Sequence, residues 1–412
     1  MRTLDLAAKG WPRSLWGTPI ESIASSRLNV AKGDLPLPVL TISRNAVNHN
    51  IALMKQWCAS HGARLAPHVK TSLAPELIRR QMEADAWGAT VSNGRQARVA
   101  VVGGARRVLV ANEVVDQSDL EHLFALMADD HVSVTLFVDS KDGLGILEAA
   151  AKRSGQLVDV LVEIGAPGGR TGVRDESALC RLLAAVDASP RANLAGISAF
   201  EGIVSRIADQ GSAHPMRDFV WRVGDMVEAA LHKGYVPATG LMSAGGSVGF
   251  DLVVERFESL NQTLVLRSGC YLTHDHGFYE RVSPLRRRQQ VAVPAAALQP
   301  ALELWAHVIS VPEAHLAIAS FGKRDANEEA DRPIPLAVVT AQGDRRPITG
   351  WTVDRLWDQH ARLIRDPDEP SVKVGDVMTF GVSHPCTALD KWRYIPEIDA
   401  SSNVLTAVET FF

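Results

Sequence analysis

The sequence predicts an α/β protein in which a (β/α)8 barrel is followed by a C-terminal β domain. Short β-rich runs alternate with amphipathic helical segments between residues 64 and 269, and these runs number eight. Strict alternation of strand and helix indicates a parallel sheet, and eight such units are typical of a closed barrel. After about residue 284 the helical periodicity fades into β-rich runs separated by turns. An open, doubly wound sheet is the alternative.

Each predicted barrel strand is a short run rich in apolar and β-branched residues. The eight runs are 64–70, 89–92, 107–112, 132–139, 157–165, 194–200, 239–245 and 263–269. Residues 118–130 and 176–188 have apolar side chains at three- and four-residue steps, which predicts amphipathic helices between strands.

The same pattern divides the chain into three parts. Residues 1–35 are too short to fold alone and are expected to pack on the β domain. Residues 36–280 form the barrel, and residues 281–412 form the β domain. Its predicted strands are 302–310, 315–322, 334–340, 371–381 and 391–399.

Composition excludes several classes of protein. The net charge of -4 gives no basis for binding nucleic acid or an anionic membrane surface. The four cysteines form no CxxC pair, which argues against a disulfide scaffold or a structural zinc module and fits a reducing compartment. No apolar run approaches the roughly 18 residues of a membrane span, and the first residues do not resemble a secretory signal. We therefore expect a cytoplasmic protein.

The chemistry of a barrel enzyme lies at the carboxyl ends of its strands. Polar or glycine-rich residues stand at six of the predicted strand ends. These are Lys70, Asn112, 165–174, 200–202, 243–247 and 268–276. The agreement predicts one active site at that end of the barrel.

Two of these strand ends together predict a cofactor. The sequence SAGGS (243–247) can bind an anion through converging backbone N–H groups, and SGCY (268–271) can complete a phosphate site. A lysine on the first strand, facing that site, can form a Schiff base with a phosphorylated aldehyde such as pyridoxal 5'-phosphate. The alternatives are that the glycines only make tight turns and that Lys70 only forms a salt bridge.

A second group of residues suggests a metal. In GVSHPCTALDKW (381–392), His384 and Cys386 are two residues apart, so on a strand their side chains share one face. An imidazole and a thiolate suit zinc and leave positions for water or substrate. A packed pair without metal is the alternative, and Pro385 argues against a regular strand.

Together, the motifs PHVKT, EIGAPGGRTGVR, SAGGSVGFD, RSGCYLTHDHG and GVSHPCTALDKW resemble the fold-type III pyridoxal phosphate enzymes of the D-serine dehydratase and D-threonine aldolase group. The resemblance runs from about residue 36 to 399. The bacterial amino acid deaminase branch is the nearest match, with FGKRDANEE (321–329) as a further marker.

The resemblance implies an alanine racemase-like barrel with a C-terminal β domain. It implies that Lys70 holds the cofactor and that Arg170 lies beside its ring. It places the phosphate near Ser243, Gly245, Gly246, Gly269 and Tyr271, and it makes His384 and Cys386 the ligands of a divalent metal, expected to be zinc. Phe200 departs from a tyrosine found in some relatives.

The activity that the resemblance implies is a dehydratase or deaminase. It eliminates the β-hydroxyl of a D-serine-like amino acid (D-serine, D-threonine or 3-hydroxyaspartate) to give a 2-keto acid and ammonia. Lys70 acts as Schiff-base residue and general base, and the metal stabilises the departing oxygen. The resemblance also implies a homodimer, in which His384 and Cys386 serve either the same or the partner subunit.

Three other activities stay open at this point. A D-threonine aldolase uses the same cofactor, and the aldolases of this group have Asp where this chain has Cys386. An amino acid racemase needs no metal but needs a second base. A non-enzymatic pyridoxal phosphate carrier needs no β domain.

Overall fold

The computed structural model describes residues 2–129, 131–204, 214–287, 297–340 and 342–412. By its internal contacts the chain forms two units. One is Met54–Gly269, which we call the barrel unit, and the other combines Met1–Leu53 with Cys270–Phe412, which we call the sheet unit.

The barrel unit contains eight parallel strands in one sheet, as predicted. They are β2 (Arg64–Leu65), β3 (Ala89–Val91), β4 (Arg107–Glu113), β5 (Ser133–Val138), β6 (Val158–Ile164), β7 (Ala192–Ala199), β8 (Leu241–Ala244) and β9 (Thr263–Leu266). Their order is β2-β9-β8-β7-β6-β5-β4-β3.

The two ends of this sheet meet and close the barrel. Trp87 N donates to Leu65 O at 2.7 Å, and Thr90 N donates to Pro67 O at 2.9 Å. A parallel bridge between His68 and Thr90 continues the pairing beyond β2. The predicted barrel is therefore confirmed over the open sheet.

Among the described residues, seven helices belong wholly to the barrel unit and an eighth enters it. They are α2 (Pro75–Glu83), α3 (Gly94–Val102), α4 (Gln117–Leu126), α5 (Lys141–Ser154), α6 (Glu176–Asp187), α7 (His214–His232) and α8 (Phe250–Phe257), while α1 (Arg44–Ser60) crosses the boundary at residue 53. Four helices start at a side-chain cap that accepts from the backbone three residues on. The caps are Asn93, Asp116, Ser140 and Asp175. Such caps satisfy backbone donors that the first turn leaves unpaired.

Apolar side chains fill the barrel. Leu109, Phe137 and Leu161, on β4, β5 and β6, are at most 2% exposed and form one cluster. Because barrel interiors are packed layers of side chains, this cluster leaves room for chemistry only beyond the strand ends.

The sheet unit is built on one ten-stranded sheet. Its strands are β1 (Val39–Ser43), β10 (Leu302–Glu313), β11 (Leu316–Ala319), β12 (Ile334–Val339), β13 (Arg345–Pro347), β14 (Trp351–Leu356), β15 (Ala361–Arg365), β16 (Val377–Gly381), β17 (Tyr394–Ile398) and β18 (Val404–Glu409). The main order is β13-β12-β16-β10-β1-β17-β18, and β11, β15 and β14 extend from β10. In the described part of this unit the short helices are α9 (Phe278–Val282), α10 (Pro284–Arg287) and α11 (Cys386–Leu389).

The first strand of the chain belongs to this sheet. β1 pairs antiparallel with β10 and parallel with β17, so residues 36–53, like residues 270–280, fall in the sheet unit although the sequence analysis grouped both with the barrel. Near the N-terminus, Trp11 Nε1 donates to Tyr394 O at 3.0 Å within the same unit.

Sequence reasoning missed five strands of the sheet unit, β1, β13, β14, β15 and β18. The residues of β13 are all exposed, and β14 and β15 carry charged side chains, so their apolar signal is weak. The run 371–381 becomes a strand only from Val377, because a turn with Gly375 at φ +94° precedes it. Within the ranges that the structure describes, no helix is long and apolar enough to cross a membrane.

Candidate active site

A cavity of about 200 Å³ lies in the barrel unit among residues that follow several strands. It is lined by His68, Lys70, Ser92, Ala111, Asn112, Arg170, Phe200, Gly246 and Arg267. Five of these residues stand in the strand-end segments that the sequence singled out. Lys70, Arg170 and Gly246 of the glycine turn therefore lie around one cavity.

Lys70 reaches this cavity from a turn and not from a strand. β2 ends at Leu65, and Lys70 lies in a 3-10 turn, Val69–Thr71, so the prediction that the strand runs to residue 70 is wrong. Pro67 shortens the strand, because it lacks the N–H that a ladder needs. Lys70 is exposed, so its ammonium group does not carry the free-energy cost of burial.

The SAGGS turn (residues 243–247) holds a carboxyl group through its backbone. Gly246 N donates to Glu201 Oε1 at 2.6 Å, and Gly245 N donates to Glu201 Oε2 at 3.2 Å. Gly245 has φ +87°, a conformation that glycine adopts without strain. Two converging N–H groups before helix α8 thus form an acceptor-binding nest.

Glu201 is itself buried, with 1% of its surface exposed. Burial raises the pKa of Glu201, while hydrogen bonds from the two glycines and the charge of Arg267 oppose that rise. The nest therefore holds a carboxyl group that is almost completely shielded from water.

Arg267 is a buried guanidinium in the cavity wall that sequence reasoning missed. It donates to Ser243 O at 2.7 Å, to Ser243 Oγ at 2.9 Å and to Ala199 O at 2.8 Å. Burial lowers the pKa of Arg267 to about 10, so the group stays positive at neutral pH. Ser243 Oγ accepts from Arg267 and donates to Val265 O at 3.2 Å, and its role in binding the cofactor stays a prediction.

Two further side chains shape the cavity. The guanidinium of Arg170 lies 5.4 Å from the ring centre of Phe200, close enough for a cation–π contact. Burial lowers the pKa of His68 well below its usual value, and the charges of Lys70 and Arg267 lower it further. His68 is therefore a neutral imidazole beside two cations.

Three carboxylates cluster where β4, β5 and β6 end. Burial raises the pKa of Glu113 to about 8, and repulsion by Glu163 and Asp139 adds to the rise. Glu163 is 4% exposed and lies beside Glu113, where its charge disfavours ionisation of Glu113. Asp139 Oδ2 accepts from Gly172 N at 3.0 Å, within the loop that carries Arg170.

The raised pKa of Glu113 predicts that the stability of the fold depends on pH. The pKa of Glu113 rises from its usual 4.5 to about 8, so the folded state keeps a proton that the unfolded chain releases in this range. Stability should fall as pH rises from about 4.5 to about 8, by at most ~1.4 kcal/mol per pH unit. Glu113→Gln should flatten this slope in thermal unfolding. Glu121→Gln, on the exposed face of α4, is the control, and an unchanged slope in Glu113→Gln contradicts the assignment.

Gly269 and Tyr271, which are also predicted to lie near the phosphate, belong to different units. Gly269 ends the barrel unit, where its N donates to Ser247 Oγ at 3.3 Å and a Cβ would lie 2.4 Å from His68 O. Only glycine therefore fits beside the lysine turn. Tyr271 lies in the sheet unit, in the buried 3-10 turn Cys270–Leu272, and its contact with a cofactor stays a prediction.

His384 and Cys386 stand at a loop–helix junction of the sheet unit. His384 has φ +58°, and Cys386 is the first residue of α11, so the two residues do not lie on a strand, in agreement with the argument from Pro385. Pro385, with φ -61° and ψ -27°, starts the helix. The tight turn is held by Asp275, whose Oδ2 accepts from His384 N at 2.7 Å.

The side chains around this junction include a thiol pair and a histidine–carboxylate pair. Cys386 Sγ lies 3.5 Å from Cys270 Sγ, and His384 Nδ1 contacts Glu329 Oε1. The hydrogen bond with Cys386, together with burial, raises the pKa of Cys270 well above its usual value. Across the described part of the chain, no three His, Cys, Asp or Glu side chains converge in the arrangement of a metal site.

The missed residues carried weak sequence signals. Glu113, Glu163 and Arg267 are charged residues inside or just after apolar runs, and a charge in such a run must be paired or used. Cys270 belongs to the RSGCY motif, but Cys386 lies 116 positions further along the chain, so the sequence does not show that the two are close.

Two family models match the sequence. The alanine racemase N-terminal domain matches residues 42–272, and the putative serine dehydratase domain matches residues 301–398. Among curated proteins, the D-threonine aldolase of an Arthrobacter species is 24% identical over 356 residues, which cover 86% of each chain.

Solved structures agree on the fold. D-threonine aldolase from Filomicrobium marinum is 25% identical with a TM-score of 0.78, and the match covers 93% of this chain and 96% of that one. D-threo-3-hydroxyaspartate dehydratase from Delftia sp. HT23 is 21% identical with a TM-score of 0.72, covering 92% and 98%. A cysteine-to-alanine mutant of a D-threo-3-hydroxyaspartate dehydratase has been solved in its metal-free form.

Proposed function

The chain belongs to the family of the alanine racemase N-terminal domain, which matches more than half its length, and from that premise we propose that it is a pyridoxal phosphate- and zinc-dependent D-amino acid dehydratase. Its substrates are D-β-hydroxy-amino acids such as D-serine, D-threonine or 3-hydroxyaspartate. Its products are a 2-keto acid and ammonia. The homodimer and the cytoplasmic location expected from the sequence stay predictions.

One observation carries the cofactor part of the proposal. Lys70, Arg170 and Gly246 line a single cavity, and the nest at Gly245 and Gly246 already binds two carboxyl oxygens. A phosphate group offers the same kind of acceptor and would take the place of the Glu201 carboxyl group on these N–H groups. A Cβ at Gly246 would meet Phe200 Cε2 at 2.6 Å. The residues therefore fit pyridoxal phosphate.

The residues of the cavity have separate tasks. Bound pyridoxal phosphate supplies an electron sink for the pair left on Cα. Lys70 Nζ, exposed in the cavity, would hold the aldehyde, and once the substrate amine has displaced it, the free Nζ would take the α-proton of the substrate. Arg170 and Arg267 keep the site positive, which favours the phosphate and the substrate carboxylate, and His68 remains neutral beside them.

The donor set of the sheet unit fits zinc. His384 and Cys386 would hold the ion, because imidazole and thiolate are the ligands that zinc prefers. Zinc supplies the Lewis acidity that loss of a hydroxyl group requires at neutral pH. The metal-free mutant of a D-threo-3-hydroxyaspartate dehydratase supports this part, since a metal-free form implies a metal-bound one. The D-threo-3-hydroxyaspartate dehydratase of Delftia sp. aligns with this chain over 139 residues at 30% identity.

The glycine nest gives a prediction of its own. Gly246→Ala should weaken pyridoxal phosphate binding by about tenfold or more, equivalent to ~1.4 kcal/mol, because the added methyl group contacts Phe200 and crowds the nest. Cofactor titration followed by visible absorbance measures the change. Gly145→Ala, in helix α5 with open space around its Cβ, is the matched control. Equal affinity in the two variants contradicts a phosphate site here.

The reaction is tested by its products. Holoenzyme is incubated with D-serine and D-threonine, then with chelator, then with added zinc, while keto acid, ammonia and glycine are measured. Keto acid and ammonia that disappear with chelator and return with zinc support the dehydratase. L-Serine and L-threonine serve as controls for the stereochemistry.

The second candidate is a D-threonine aldolase. It is favoured by the Arthrobacter and Filomicrobium relatives, which cover most of this chain. Glycine and acetaldehyde from D-threonine would establish it and overturn the proposed elimination. A racemase, the third candidate, would interconvert enantiomers and keep its activity in chelator.

A further inference from the structure

The thiol of Cys270 lies beside Cys386, one of the two proposed metal ligands. Cys270 opens the turn Cys270–Leu272, and Cys386 opens helix α11, so the two come from segments far apart in sequence but within one unit. Their sulfur atoms are 3.5 Å apart. Cys270 is 6% exposed and is the more buried residue of the pair, since Cys386 is partly exposed.

The sulfur separation suits one shared metal ion. Two thiolates on a tetrahedral zinc, each bond being ~2.3 Å, lie about 3.8 Å apart. We propose that Cys270 is a third protein ligand of the metal, together with His384 and Cys386. This inference rests on the proposed function, because it takes the zinc of that proposal as given.

Glu329 contacts the imidazole of His384 in a way that suits metal binding. It contacts Nδ1 of the imidazole, which leaves Nε2 as the nitrogen that binds metal. A carboxylate on the other ring nitrogen is the usual partner of a metal-ligating histidine, since it fixes the tautomer and raises ligand basicity. The backbone of His384 is held as well, by Asp275.

The imidazole completes the site by a side-chain rotation. In the part of the chain that the structure describes, the three donors do not converge on one point. The two sulfur atoms are already within the spacing of a shared ion, so the imidazole of His384 is the donor that has to move towards them. The ring of Tyr279, 6.1 Å from that of His384, packs on the same side chain.

A third ligand changes the chemistry of the metal. Two thiolates and one imidazole leave a fourth position for water or substrate, which is the ligand count of a catalytic zinc. Two thiolates also neutralise the charge of Zn²⁺ and select it over Mg²⁺ and Mn²⁺, which prefer oxygen donors. The site should therefore bind zinc tightly and respond weakly to magnesium.

X-ray absorption at the zinc edge tests the ligand set directly. Zinc-loaded, reduced holoenzyme should show two sulfur scatterers at ~2.3 Å. Cys270→Ser should show one, and its zinc affinity should fall by about tenfold or more, in the range of ligand-shell changes. Cys180→Ser, on helix α6 of the barrel unit, is the matched control and should keep two.

The outcomes separate this inference from the proposed function. One sulfur in the wild-type spectrum overturns the role of Cys270 but leaves the zinc site of His384 and Cys386. No bound zinc overturns both the third ligand and the metal part of the proposed function. If Cys270→Ser does not fold, the wild-type sulfur count still decides.

Discussion

Lys70→Ala should lower turnover of the preferred D-amino acid by at least about 10²–10⁴-fold, which is the usual contribution of a general base. The loss should be larger still, because the same Nζ also binds the cofactor aldehyde. Lys70 is exposed within the cavity, so the variant should keep its thermal stability.

The cofactor itself reports on this change. Borohydride reduction of the wild-type holoenzyme should fix the cofactor on the peptide that contains Lys70, and the visible Schiff-base absorbance should disappear in Lys70→Ala. Lys152→Ala, on the exposed face of α5, is the control and should retain both signals. Cofactor attached to another lysine would refute the assignment of Lys70.

Cys386→Ala should abolish tight metal binding and lower elimination by at least about 100-fold, beyond the ~10–100-fold cost of losing an outer-shell partner. The reason is chemical: loss of the Cys386 thiolate leaves at most two protein ligands, His384 and the proposed Cys270, which is fewer than the three of a catalytic zinc site. Cys386 is partly exposed and begins a short helix, so its truncation should cost little stability.

Metal content and product analysis measure this effect together. Purified Cys386→Ala should contain no stoichiometric zinc while its pyridoxal phosphate absorbance stays unchanged, because the cofactor residues lie in the barrel unit. Cys58→Ala, a buried thiol of helix α1, controls for general effects of removing a cysteine. Wild-type activity in metal-free Cys386→Ala would exclude a role for metal in the reaction.

The barrel could be predicted because its signals are local. Each parallel strand is a short apolar run, and the helices between them carry their own caps and amphipathic faces. The carboxyl ends of parallel strands share one edge of the sheet, and Lys70, Arg170 and Gly246 do line one cavity there. Of the missed strands of the sheet unit, β13, β14 and β15 lack such signals because their side chains are exposed or charged. β1 pairs with β10 and β17, which are far away along the chain. β18 was missed although most of its side chains are buried and it pairs with the neighbouring β17.

The sequence by itself determined the fold class, the family and the residue types of the two sites, because periodicity and motifs lie within short windows. The tertiary structure decided which side chains act together. It placed the Glu201 carboxyl group on the glycine nest, Arg267 in the cavity wall and Cys270 beside Cys386. These contacts join residues 24 to 116 positions apart, and no local pattern encodes them, since they depend on how closed sheets and loops bring distant segments together.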